Sequence, residues 1–406
     1  MRAGSRAVAA ALTVLAVGLA ATALWRLARA RETPQAEQLR SQLRALGYTH
    51  DVTEEIDATQ KGVVLHDAAR ASPGVNVYCS VRSDRVRFLD MEGRELHGIA
   101  LQDPGEGADC MLEPYGGRQF LALAWPTLTL LDFDSRVVWR SVEGQHHDVA
   151  VDAQGAIWTL LQHDGDLRAR GHVLPIVDHT LARLDATGTV VWTLPLSELF
   201  ADAVRPRRLA RAARILRTQG RASRTYAALS DVFHFNTVEV LDRDVAVARR
   251  GDVLLCAREL DLVAVVDPVK RAIVWSWGPG QLDRPHHPSF LPNGNLLVFD
   301  NGARRGWSRI LEVEPASGAV VWQYVGRPPE TFFSPVRGSV QALPNGNALV
   351  TESTRGRVFE VTRDGAVVWS FLNPEFEGGA RRQIYRMQRV PLDRYAAWAG
   401  APGRRP

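Results

Sequence analysis

Short apolar runs separated by acidic turns recur along this chain, and the second run of each pair ends in Trp. The pattern reads LLDFDSRVVW (130–139), LARLDATGTVVW (181–192), AVVDPVKRAIVW (264–275), LEVEPASGAVVW (311–322) and FEVTRDGAVVW (359–369), with a weaker sixth copy, RFLDMEGRELHG, over residues 87–98. Acidic residues followed by Gly between β-branched runs predict hairpins, because those residues tolerate the positive φ of a tight turn. A second element alternates with the first. LPNGNLLVFDNG (291–302) and LPNGNALVTES (343–353) are near copies, and DAQGAIWTLLQ (152–162) and RRGDVLLCAREL (249–260) are looser ones. Each turns at Asn-Gly or a relative and runs into a strand.

Two hairpins per unit make four strands, the content of one β-propeller blade. Trp275, Trp322 and Trp369 stand 47 residues apart, a blade's length. Six copies predict an all-β, six-bladed propeller over residues 61–395, and the spacing disfavours a β-sandwich. The recurring Trp residues are expected to pack between neighbouring sheets rather than to bind ligand. From Leu199 to Tyr226 the repeat is interrupted: RRLARAARILRT has helical spacing and stretches one interval to 83 residues, from Trp192 to Trp275. This predicts a small helical insertion at one end of the propeller.

Ahead of the repeats, Arg2 and Arg6 precede a charge-free apolar run from Ala7 to Trp25, followed by Arg26, Arg29 and Arg31. Some 19 residues of helix rise about 28 Å, roughly the hydrocarbon thickness of a bilayer. Ala21-Thr22-Ala23 offers a signal-cleavage site, but Leu24, Trp25 and the basic run extend past it, and Trp suits a membrane interface. The expectation is a single-pass anchor over residues 1–31. A linker with a short amphipathic helix (Gln35–Leu46) follows over 32–60, and residues 396–406 are expected to form a flexible tail. Arg residues flank both ends of the apolar run, so the positive-inside rule alone does not orient it.

Composition narrows the function. The 406 residues are 46% hydrophobic and 23% charged, as in ordinary globular proteins. The net charge of +4 comes from scattered Arg and from clusters such as 205–208, with no nucleic-acid motif around them, so a solvated face is the better reading and no nucleic-acid partner is expected. Three cysteines fit no metal pattern. Cys79 and Cys110 end short strands and are compatible with one disulfide or with free thiols, while Cys256 reads as a buried thiol.

Histidines are few, yet several fall at equivalent places in the repeat. His146-His147-Asp148 opens one blade, His234-Phe235-Asn236 another, and His286-His287 a third. The opening strand of a blade lines the axial channel, so these sites should converge there. Arg258 lies in the apolar stretch LLCAREL, where an arginine needs a counter-charge or a ligand.

This set of motifs, with the opening KGVVLHDAARASPGVNVY and the closing QIYRMQRVPLD, resembles the arylsulfate sulfotransferases over roughly Lys61 to Asp393. The resemblance implies a six-bladed propeller outside the cytoplasm that moves a sulfuryl group from an aryl sulfate to a phenol through a sulfo-histidine, without nucleotide donor or other cofactor. It makes His287 the nucleophile. His234 and Arg258 would bind the sulfuryl oxygens, His147 would be a further channel ligand, and Asn236 would orient His234; His146 and His286 fall among the substrate-binding positions. Membrane contact is expected through the N-terminal helix only. One departure stands out. The family's nucleophile motif reads Gln-His before a small or acidic residue, whereas here it is His286-His287-Pro288. Proline lacks an N–H and restricts its predecessor, so His287 could be reoriented, His286 could replace it, or the channel could merely bind ligand. A quinone-dependent propeller is disfavoured, since no carboxylate set for a Ca²⁺-bound cofactor is evident.

Overall fold

A computed structural model describes residues 59–101 and 110–400. The anchor over 1–31, the Gln35–Leu46 helix and nearly all of the linker lie outside the described residues. Among the described residues no helix is long and apolar enough to cross a membrane.

The repeats form six antiparallel sheets, as expected. Blade I places Ile384–Val390 beside Val75–Ser80, Arg85–Leu89 and Glu95–Ala100, so the last strand of the chain closes the ring against the first repeat. Blade II runs from Cys110–Gly116 to Val137–Ser141, and blade III from Gln145–Val151 to Val190–Pro195. Blade IV runs from Phe235–Val240 to Ala272–Trp277, and blade V from His286–Phe290 to Ala319–Val325. Blade VI, from Ser339–Ala342 to Val367–Leu372, carries Gly62–His66 as a fifth strand on its outer edge. The six first strands contact one another in a closed ring around the axis.

The acidic turns have a specific job. Asp90, Asp132 and Asp185 each accept two backbone N–H groups of their own turn through Oδ1, satisfying donors that a hairpin end leaves unpaired. The Trp residues join blades, as their periodicity predicts. The indole N–H donates to the corresponding turn of the next blade from Trp139 to Ala186 O, Trp275 to Pro315 O, Trp322 to Arg363 O and Trp369 to Met91 O, at 2.8–3.1 Å. In the weak sixth copy His97 takes the Trp position, and its Nε2 donates to Phe133 O at 2.7 Å. Trp369 is fully buried and holds the joint at which the ring closes. Trp369→Ala should therefore cost about 3–5 kcal/mol, read from chemical denaturation; a change below about 1 kcal/mol would show that the joint contributes little.

The interruption after Pro195 is helical, though longer than its sequence boundaries suggest: α1 (Leu196–Phe200), α2 (Pro206–Gln219) and α3 (Arg224–Ser230). Leu209, Ala212 and Ile215 of α2 are buried against an enlarged hairpin of blade III, Ile157–Ala169 with His172–Leu184. Tyr226 of α3 donates its hydroxyl to Pro175 O at 2.6 Å. The expected flexible tail needs correction at its start. Helix α4 (Leu392–Ala399) runs through residue 396, and buried Trp398 packs edge-on against Phe120. An apolar side chain of that size gains too much by leaving water to remain in a mobile tail. Cys79 and Cys110 form a disulfide between blades I and II, and Cys256 is a free buried thiol.

Candidate active site

Three histidines share one unusual backbone state. His147, His234 and His287 have φ of 61°, 48° and 46°, a region costing a non-glycine residue on the order of 1–3 kcal/mol. His147 and His287 sit where the first strand of the blade slips against the second, between the pairs His146–Leu160 and Val149–Thr159 and between His286–Phe299 and Ser289–Leu297, whereas His234 directly precedes its strand and the slip there falls on Asn236 and Thr237. Such β-bulges turn a side chain out of the regular pleat. The bulges free backbone N–H groups, which the neighbouring blade satisfies. Val238 N donates to Asp148 Oδ2 at 3.0 Å and Phe290 N to Glu239 Oε1 at 3.2 Å.

Two of the three imidazoles meet directly. His147 Nε2 lies 2.8 Å from His234 Nε2, so one hydrogen is held between them. The Asp231 carboxylate accepts from His234 Nδ1 and, at 3.1 Å, from its backbone N–H, which fixes the tautomer and ring orientation. Tyr385, from the closing strand, donates to His147 O at 2.7 Å. The ring of His146 packs 3.8 Å from that of His147, and His179 lies 5.5 Å from His146 and 6.3 Å from His234. Burial drives His146 and His147 well below the usual imidazole range, with the neighbouring histidines adding to the effect. Burial also brings His179 down to about 4. His146, His147 and His179 are therefore uncharged at neutral pH.

His287 is half-buried. Its Nδ1 lies 3.0 Å from Val340 O, and its backbone N–H donates to Thr237 Oγ1 at 3.1 Å. A carbonyl can only accept, so the hydrogen is on Nδ1 and the Nε2 lone pair is left available. Burial, reinforced by the Arg386 charge, holds His287 well below its ordinary pKa and hence neutral. Pro288 does not disturb this arrangement. It occupies the bulge, where no ladder hydrogen bond is lost, and His287 keeps the same left-handed backbone as His147 and His234. His286 points elsewhere: its Nδ1 is 2.7 Å from Asn301 Oδ1, and Asn301 donates onward to Ser334 O and Arg337 O.

Arg258 is fully buried. It opens a 3₁₀ turn (Arg258–Leu260) directly after the strand Val253–Ala257 instead of lying within the strand. Its backbone N–H donates to His234 O at 3.1 Å and that of Glu259 to Phe233 O at 3.0 Å, which holds the turn beside His234. Its Nη1 pairs with Glu259 Oε1 at 2.5 Å, and Glu259 also binds Arg208 of α2 at 2.7 Å. Burial alone would raise the Glu259 carboxyl, but Arg258, Arg208 and Arg284 hold it down at about 2. The Arg258 charge also depresses His286, whose pKa burial has already lowered. The helical insertion thus reaches the site through Arg208, which donates to Asp231 O at 2.8 Å as well.

Asn236 takes a different role from the one expected. Its amide donates to Pro285 O at 3.0 Å and its carbonyl accepts from Thr237 Oγ1 at 3.0 Å, bracing the strand that carries His286 and His287. Asp231 orients His234 in its place, since a carboxylate three residues upstream can reach both the ring and the backbone. Asp231, His179 and Tyr385 were not singled out from sequence. Only Asp231 left a usable trace, an Asp three residues ahead of a blade-opening His.

The geometry is that of a propeller whose central channel carries neutral imidazoles beside a buried guanidinium, and comparison places it more narrowly. The chain belongs to the Arylsulfotransferase (ASST) family, whose model matches residues 125–374. No curated protein matches the sequence. Among solved structures, a protein of unknown function from Bacteroides caccae is 13% identical with a TM-score of 0.52, covering 78% of this chain and 98% of its own. An inactive virginiamycin B lyase from Staphylococcus aureus is 9% identical with a TM-score of 0.42, covering 77% and 88%. At such identity the likeness concerns the fold alone.

Proposed function

We propose that this chain transfers a sulfuryl group from an aryl sulfate to a phenol through a sulfo-histidine on His287, without a nucleotide donor. The observation that carries the reading is the His287 imidazole: neutral, held by Nδ1–H on Val340 O, with Nε2 free, on a bulge as His147 is and in the left-handed backbone that it shares with His147 and His234. In the first half, the His287 Nε2 lone pair forms the N–S bond as the S–O bond to the aryl group breaks. The phenolate departs with the electron pair of that bond and takes its proton from solvent. In the second half, the acceptor phenol oxygen attacks sulfur, the N–S bond breaks, and the phenol proton passes to the His147–His234 pair and on to solvent. Charge on the three sulfuryl oxygens, like that of a phosphoryl group in flight, is stabilised by Arg258 and His234. We further place the propeller outside the cytoplasm behind the N-terminal anchor, a reading supported by the Cys79–Cys110 disulfide.

Incubation with p-nitrophenyl sulfate and phenol should release p-nitrophenol continuously, whereas without acceptor release should stop at about one equivalent per enzyme, with a covalent sulfuryl adduct on His287. No release and no adduct would leave a channel that binds without transferring. Arg258→Ala should lower kcat by about 10²–10³, the usual effect of losing one such donor. Glu259 would keep Arg208 and Arg284 as partners, so the fold should survive, and an unchanged kcat would remove Arg258 from the mechanism.

A further inference from the structure

The joint between blades III and IV differs from the other five. At the turn position where blades I, III, V and VI carry Gly93, Gly188, Gly318 and Gly365 and blade II carries Ser135, blade IV carries Arg271; all six have positive φ, between 54° and 88°. Glycine is suited to that conformation, and a long side chain there is strained. At Gly188 the missing side chain also leaves a seat for the preceding blade's indole, since a Cβ there would come 2.7 Å from Trp139. Arg271 fills this seat between blades III and IV. Its guanidinium stands 5.7 Å from the Trp192 ring and donates to Thr193 O at 3.1 Å, and among the described residues no indole bond joins these two blades.

The displaced Trp192 turns edge-on to Trp158, at 5.5 Å, and a groove of about 530 Å³ opens beside the pair. Its chemistry is one-sided. Arg183, Arg250 and Arg271 line it, and none has an ion-pair partner among the described residues. Of the two lining carboxylates, Asp152 is bound by Trp158 Nε1 at 2.9 Å and Asp242 pairs with Arg243 at 2.7 Å. Val269 also lines the groove and is 90% exposed, so a ligand there would cover apolar surface that the fold leaves in water. Flat aromatic walls with uncompensated guanidinium groups complement a planar aromatic anion.

We propose that the groove between blades III and IV binds a planar aromatic anion, at a site separate from the histidine cluster and held open by Arg271. The proposal does not rest on sulfotransfer, and its probe, 2-naphthalenesulfonate, has a C–S bond that such chemistry does not cleave. Equilibrium dialysis of the full-length chain should show saturable binding, with 2-naphthalenemethanol, the same ring without the charge, held far more weakly. Arg271→Gly should weaken the sulfonate by about tenfold or more while keeping or raising the melting temperature, because it relieves the strained turn and lets Trp192 take its seat. Trp192→Ala should weaken binding similarly, and His287→Ala should leave it unchanged. The proposal is overturned if the wild type shows no saturable binding, if Arg271→Gly and Trp192→Ala both bind as tightly as wild type, or if binding disappears with His287→Ala.

Discussion

His287→Ala is expected to reduce sulfotransfer by on the order of 10³ or more, to the background rate, because no other group in the site replaces a nucleophile within a catalytic unit. The fold should tolerate the change. His287 is half-buried, and its ring makes one hydrogen bond, to Val340 O. The adjacent histidine provides the comparison, but alanine is the wrong replacement there. His286 is buried, and its Nδ1–H satisfies Asn301 Oδ1. Removing that donor would cost about 1–3 kcal/mol and confuse stability with catalysis. His286→Gln keeps a donor in reach and should retain kcat within a few fold. A dead His286→Gln beside an active His287→Ala would transfer the nucleophile to His286, and activity in both would exclude a sulfo-histidine at either position.

The parts of this protein that were legible in sequence are those fixed by local chemistry. Asp and Gly at the turns and Trp in the outer strands of blades II to VI recur because every blade must close the same hairpin and pack on the same kind of neighbour, so repeat and fold could be read together. The helical insertion was visible through its spacing, although its ends, at Leu196 and Ser230, are set by packing on the blade III hairpin. Blade-opening histidines were visible for the same reason as the turns: equivalent positions repeat. What escaped was non-local. Nothing near Tyr385 in the chain indicates that ring closure will bring it to His147, 238 residues away. His179 comes from a third strand and reaches the cluster only through the folded sheet. Arg258 could not be placed in its turn without knowing that the strand ends at Ala257 and that the next N–H groups bond to His234 O and Phe233 O. The role of Asn236 was misread because an amide next to a histidine suggests a partner, whereas the bulge directs it to the next blade.

The neutral imidazoles should make this fold acid-labile. His146, His147, His179, His286 and His287 all have pKa values depressed in the folded protein, chiefly by burial, while an unfolded histidine titrates near pH 6.5. Below that value the unfolded chain binds protons that the folded one refuses. The contribution of these groups is therefore complete above about pH 6.5 and is lost as pH falls. Two carboxyls on first strands act in the opposite sense. Burial raises Glu113 to about 7 and Glu239 to about 8, so the folded state holds two protons that the unfolded state releases above about pH 4.5, and their stabilisation, complete below that value, is lost progressively as pH rises to 7 and 8. The five histidines lie together at the channel, and stability should fall as pH drops below about 6.5. Chemical denaturation at pH 7.5, 6.5 and 5.5 should place the maximum near pH 6.5–7, with a loss on the acid side and a shallower one between there and pH 8. A denaturation midpoint that stays level from pH 7.5 to 5.5 would mean that the channel histidines accept protons within the fold, and the neutral nucleophile assigned to His287 would fall with that result.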